Sequence, residues 1–186
     1  MVSAVALRQP DILIGGDGRE VAVRGRDGRL HLMKTGKDAF LVKEWLAADA
    51  DDRDPNAASL GDGVSCDGEG CVAPMADGRL VALSLKPDGL ADDCGRAALI
   101  VTATSVPPGC SATVIELKRL RAQGAMALRW TGRGFVMDAV RPRGMNRPWS
   151  PSAGEVEIGS TPATGGTSTA RPPDATPSES DLQAED

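Results

Sequence analysis

The chain has 186 residues, a mass of 19.3 kDa and a net charge of −5, and it is 41% hydrophobic but only 3% aromatic, with no tyrosine and one histidine. That length suits one domain with room for a tail, and its core must be built from Val, Leu, Ile, Ala and Met. The negative balance argues against a dedicated nucleic-acid binder. No apolar run approaches the roughly 18 residues of a membrane span, and a single histidine excludes most His-based and metal-hydrolase schemes.

Charge divides the chain unevenly. Between Ser150 and Asp186 one basic residue, Arg171, stands against seven acids, so this segment carries −6 and the rest of the chain +1. The segment is rich in Pro, Ser, Thr and Gly and is too polar to offset the entropy of ordering. Residues 150–186 are expected to be a disordered acidic tail. At the other end, residues 1–9 form a lead-in. Met1-Val-Ser-Ala-Val-Ala-Leu-Arg8 is apolar but short, with no basic leader or clear cleavage site, so no secretory signal is expected. Either the protein is cytoplasmic or it derives from a longer chain whose upstream part supplies targeting.

Asp-Gly-Arg occurs three times, at Asp17-Gly18-Arg19, Asp27-Gly28-Arg29 and Asp77-Gly78-Arg79. Between alternating apolar runs Asp-Gly marks a tight hairpin turn, because glycine adopts positive φ at little cost. With Ile12 to Ile14, Val21, Val23, Leu30 and Leu32 around the first two copies, residues 11–34 read as a three-stranded meander. The period then lengthens. Phe40, Leu41, Trp45 and Ala48 fall on one helical stripe over 37–48. The run Asp49-Ala-Asp-Asp-Arg-Asp-Pro55 ends that helix and reads as a solvated loop, since neither its spacing nor its last residue fits a calcium loop.

A second β-region follows, with strands at 63–66, 71–75 and 80–84, and a short loop or helical turn over 86–95. Ala97-Ala-Leu-Ile-Val-Thr-Ala103 is the most apolar segment and reads as a central strand buried on both faces. A strand at 111–115, a short helix at 116–123 and a hairpin of 125–130 with 134–140 complete an α+β domain, mostly β hairpins and meanders with two or three short helices.

The four cysteines fall into local couples, Cys66 with Cys71 and Cys94 with Cys110. Two disulfides in an oxidising compartment fit the even number and the short spacings. They would contribute about 2 and about 3 kcal/mol by chain entropy. A four-cysteine zinc site remains open, although C-x-x-C knuckles are missing, and so do unconnected cytosolic thiols. His31, within Leu30-His-Leu-Met33, reads as a surface or half-buried strand residue. Gly15-Gly16-Asp17-Gly18 lacks the ending of a phosphate-binding loop. Arg141, Arg143, Arg147 and Trp149 could hold phosphates and stack a base. The plainer reading is a strand exit whose Trp packs on the domain edge.

In chain order stand Pro10-Asp-Ile-Leu-Ile14 with Asp17-Gly-Arg-Glu-Val-Ala-Val-Arg24, Lys37-Asp-Ala-Phe40 with Glu44-Trp-Leu46, and Asp52-Arg-Asp-Pro55. Then come Cys66 and Gly70-Cys71, Asp93-Cys94 with Arg96 to Val101, Pro108-Gly-Cys110 and Asn146-Arg-Pro-Trp149. Over residues 10–149 this succession resembles the C-terminal soluble region of ComEC-type competence proteins. These are inner-membrane channels that carry single-stranded DNA inward during natural transformation, often with a C-terminal metallo-β-lactamase-like domain. The chain departs from that pattern: it has no membrane core and none of the His-x-His-x-Asp-His ligands, and one histidine cannot complete a two-metal centre.

The resemblance therefore implies a non-catalytic, degenerate domain without metal or cofactor, from a fragment or split gene. It would lie at the periplasmic face of the inner membrane. Its partners would be the channel core and, weakly, single-stranded DNA through Arg141, Arg143, Arg147 and Trp149, with no small-molecule substrate. The alternative is a stand-alone, disulfide-stapled β-rich binding module without enzymatic activity. A metal-dependent hydrolase is the third possibility, and metal analysis of the purified protein separates it from the other two.

Overall fold

A computed structural model of the chain describes residues 9–34 and 38–142. The α+β class expected from the pattern is found: ten strands in two five-stranded sheets, with three short helices. The expected tail, the lead-in 1–8 and residues 35–37 lie outside the described residues.

The first meander forms β1 (Ile12–Ile14), β2 (Glu20–Arg24) and β3 (Leu30–Lys34), all antiparallel. The first two Asp-Gly-Arg copies are its hinges, and the third turns the chain within the second sheet. In the second copy Gly25 N–H donates to Arg29 O at 2.9 Å and Gly28 N–H to Gly25 O at 3.0 Å, and the third repeats this pattern between Met75 and Arg79. In all three the Asp Oδ1 accepts the N–H of the following Arg at 3.0 to 3.1 Å. The glycines sit at φ of 71°, 77° and 88°, a region that a Cβ disfavours. The repeat is accounted for by turn chemistry.

Helix α1 (Ala39–Ala48) starts at Asp38, whose Oδ1 accepts the Leu41 N–H at 2.9 Å. Its buried residues are Val42 and Leu46, which pack with Ala22, Leu30 and Leu32 on the outer face of the first sheet. The buried face is rotated from the expected stripe: Phe40, assigned to it, is 74% exposed. The aromatic at 40 draws the phase of the pattern, whereas the sheet selects the aliphatic residues at 42 and 46. The helix ends in a Schellman motif, with Ala50 N–H on Ala47 O and Asp51 N–H on Leu46 O. The left-handed position, φ 53°, is held by Ala50 where glycine is usual. A 3-10 turn (Ala58–Gly61) then leads to the second sheet.

That sheet runs in sequence order: β4 (Ser65–Cys66), β5 (Gly70–Pro74), β6 (Leu80–Ser84), β7 (Ala97–Thr102) and β8 (Thr113–Glu116). β6, β7 and β8 are parallel, with α2 (Leu90–Arg96) in the first crossover. Parallel pairing, with core on one face and α2 on the other, explains why β7 is apolar at almost every position.

From β8, α3 (Leu117–Gln123) returns the chain to the first sheet, where β9 (Met126–Trp130) and β10 (Phe135–Ala139) form the closing hairpin. β9 pairs with β1, giving the order β10-β9-β1-β2-β3. The inner residues of both sheets share one core: Ile12, Ile14, Val21, Val23, Met33, Met126 and Leu128 meet Ala73, Val81, Leu83, Leu99, Val101 and Ile115. Leu120 of α3 is fully buried among them, a burial that contributes roughly 2 kcal/mol.

Candidate functional site

The four cysteines are bonded in the two expected couples. Cys66 and Cys71 are a cross-strand pair of β4 and β5, with Cα atoms 4.0 Å apart. Their turn is made by Asp67, whose N–H donates to Gly70 O and whose Oδ1 accepts the N–H groups of Glu69 and Gly70. Cys94, on α2, joins Cys110 in the loop between β7 and β8, with Cα atoms 4.8 Å apart. This second bridge packs with Leu90 and Ile100 on the outer face of the second sheet. Ser111 Oγ also donates to Cys94 O at 2.7 Å.

The acidic run after α1 is a solvated loop only in part: Asp52 and Asp54 are exposed, whereas Asp49 and Asp51 are held in ion pairs. Asp49 takes both arms of Arg24, at 2.7 and 2.9 Å. Asp51 takes Arg53, whose nearest contact is 2.6 Å, and the side chain of Asp51 is only 4% exposed. Arg53 also reaches Leu30 O at 2.7 Å and Ser59 O at 3.2 Å, tying the loop to β3. The Arg53 guanidinium holds the Asp51 carboxyl below the usual range. Arg53 stands two positions from Asp51 in the chain, whereas Arg24 is 25 positions from Asp49 and reaches it only through the fold.

A cleft of about 310 Å³ lies between the second and third Asp-Gly-Arg turns, bordered by Gly25, Asp27, His31, Asp62, Pro74 and Met75. His31 is half-buried there, as expected, with Nε2 3.0 Å from Asp27 Oδ1 and Nδ1 buried without a partner. That hydrogen bond lowers the Asp27 pKa. Gly25 is needed beside it, since a Cβ would lie 2.6 Å from the His31 ring. On the outer face of β2, Glu20 is buried beneath the start of α1. Its Oε1 accepts the Asp38 N–H at 3.4 Å, and its Oε2 has no partner. Burial pushes its pKa up, opposed by the Asp38 N–H and reinforced by Asp17 and Asp38. No sequence pattern singles out Glu20.

An aromatic pair lies at the edge of the first sheet. Trp130 and Phe135 are directly paired at the mouth of the β9–β10 hairpin, with ring centroids 4.9 Å apart and an edge-to-face tilt. Arg79, from the third Asp-Gly-Arg turn, covers the Trp130 ring at 4.2 Å while also pairing with Asp77. This rim joins the two sheets, and Asp11 supports it by accepting the Trp130 N–H at 2.7 Å. Arg133 is exposed in the adjoining turn.

Of the four predicted DNA contacts, Arg141 is engaged at the end of α3, donating to Arg121 O at 2.8 Å. Arg143, Arg147 and Trp149 lie outside the described residues. The rim escapes a sequence reading because Arg79 and Trp130 are 51 positions apart and meet only when the sheets stack. Among the described residues no group of His, Cys, Asp and Glu is arranged to hold a metal ion, and no helix is long and apolar enough to cross a membrane. Comparison of the chain with family models, curated proteins and solved structures returned no match.

Proposed function

We propose that the chain is a non-catalytic domain of a ComEC-like DNA-uptake protein, acting at the periplasmic face of the inner membrane beside the channel core. The observation that carries the reading is the pair of closed cysteine bridges, which belong to an oxidising compartment. The ordered blocks from Pro10 to Trp149 support the reading through their resemblance to that family. Contact with single-stranded DNA falls to the Arg79–Trp130–Phe135 rim, where a π-face and a guanidinium stand together at the surface. Such contact is weak, because the rim's cations are largely paired and the segment outside the tail carries only +1. Deleting 10–149 beside an intact competence core should lower transformation frequency, and an unchanged frequency overturns the reading.

The same rim also favours a second reading, a stand-alone disulfide-stapled binding module. A neighbouring reading frame that encodes a multi-helix membrane segment selects the first, and an isolated gene selects the second.

A further inference from the structure

The two bridges differ in their surroundings. Cys94, on α2, is buried and Cys110 is half-buried in the same cluster. Cys66 is exposed on β4, whereas Cys71 is 4% exposed and joins the main core. The hairpin turn between them is closed by three hydrogen bonds of Asp67 and Gly70 that do not involve sulfur. Strand β4 pairs with β5 over only two residue pairs, Ser65 with Val72 and Cys66 with Cys71. Beside the bridge opens a cavity of about 400 Å³ whose border includes Asp67, Glu69, Asp92 and Asp93, answered by Arg96 and by Lys86 at 3.3 Å from Glu69.

We propose that Cys66–Cys71 is a site of selective thiol–disulfide exchange, opened by an external dithiol at Cys66 while Cys94–Cys110 stays closed. The donor thiolate attacks Cys66 Sγ, the S–S bond breaks, and Cys71 leaves as a thiolate that takes up a proton. The donor's second thiol then displaces Cys66 from the mixed disulfide. The donor dithiol is oxidised to a disulfide, and two electrons and two protons reach the cysteine couple. Cys66 is the exposed partner of its bridge and Cys71 the buried one, so the mixed disulfide forms on Cys66. The carboxylates repel anionic thiols, so a cationic aminothiol reacts faster than anionic glutathione. Opening the bridge leaves β4 on a two-pair ladder and loosens the outer edge of β5. The exchange site stands independently of the DNA-uptake reading.

The test uses the full oxidised chain, incubated with dithiothreitol, cysteamine or glutathione, then alkylated and mapped by mass spectrometry. Cys66 and Cys71 should become alkylated at least about tenfold faster than Cys94 and Cys110, as thiolate access dictates. Monothiol adducts should map to Cys66, and the advantage of cysteamine over glutathione should shrink in high salt. Amide exchange should rise over 64–73 and stay unchanged in β6 to β8. A Cys66→Ser/Cys71→Ser variant should keep the native circular dichroism, showing that exchange does not proceed through unfolding. Equal reduction rates for the two bridges, adducts on Cys71, an unfolded double variant, or no charge preference among the thiols would each overturn the proposal.

Discussion

The two sheets secure their connections by different chemistry. Around the first sheet, the loop after α1 is held by half-buried ion pairs, Arg24 with Asp49 and Arg53 with Asp51. Around the second, the hairpin β4–β5 and the crossover carrying α2 are held by sulfur. The core between them is shared, so the contrast concerns the periphery. An ion-pair lock draws its strength from ionisation and must offset desolvation, whereas a disulfide chiefly restricts the unfolded chain. One lock therefore responds to acid and the other to reductant.

The largest effect should come from breaking an ion-pair lock. Arg53→Ala leaves Asp51 buried without its cation and frees Leu30 O and Ser59 O, and should cost about 4 kcal/mol in urea unfolding. A loss below about 1 kcal/mol would mean that Asp51 is effectively solvated. Because the folded-state pKa of Asp51 is lowered, its contribution is present above the unfolded carboxylate value and lost as pH falls through the folded one. Acid should therefore weaken the wild type far more than Arg53→Ala. Next in size, Cys94→Ala/Cys110→Ala should cost about 3 kcal/mol, and that loss should not change between pH 5 and pH 8. A pH-dependent loss there would erase the distinction between the two halves.

Smaller effects sharpen the same contrast. Ala50→Gly removes a Cβ from the left-handed position and should stabilise the exit of α1 by about 0.5 to 1 kcal/mol, read as a higher urea midpoint. Destabilisation would show that the Schellman motif does not form. Glu20→Gln should stabilise by under about 1 kcal/mol at pH 7, because burial disfavours the ionised carboxylate. The folded pKa of Glu20 is raised, so the wild type is best served where Glu20 is protonated and loses stability as pH rises through the folded value. The gain from Gln should therefore vanish near pH 4, and a gain that is equal at both pH values would place the cause elsewhere.

Much of the local structure was legible. The Asp-Gly-Arg turns, the meander, the apolar β7 and the closing hairpin follow from period and from glycine's access to positive φ. The partners were not. β1 and β9 lie more than 100 residues apart in the chain, and Ile14 opposite Met126 is one of many pairings that two apolar strands allow. The acidic run from Asp49 to Pro55 misled in part for a similar reason: its residue types are those of a solvated loop, and only Arg24, brought up by β2, makes Asp49 a half-buried partner.

The sequence by itself determined where strands and turns lie, that a helix follows the first meander, and which cysteines are near enough in the chain to meet. Those outcomes depend on interactions within a few residues, where spacing and side-chain type decide. The tertiary structure decided which face of α1 is buried, that β6, β7 and β8 run parallel, that Arg79 covers Trp130, and that Cys66 is exposed while its partner Cys71 is buried. Each of these rests on stacking two sheets around one core, and a stacking energy is shared among residues far apart in the chain.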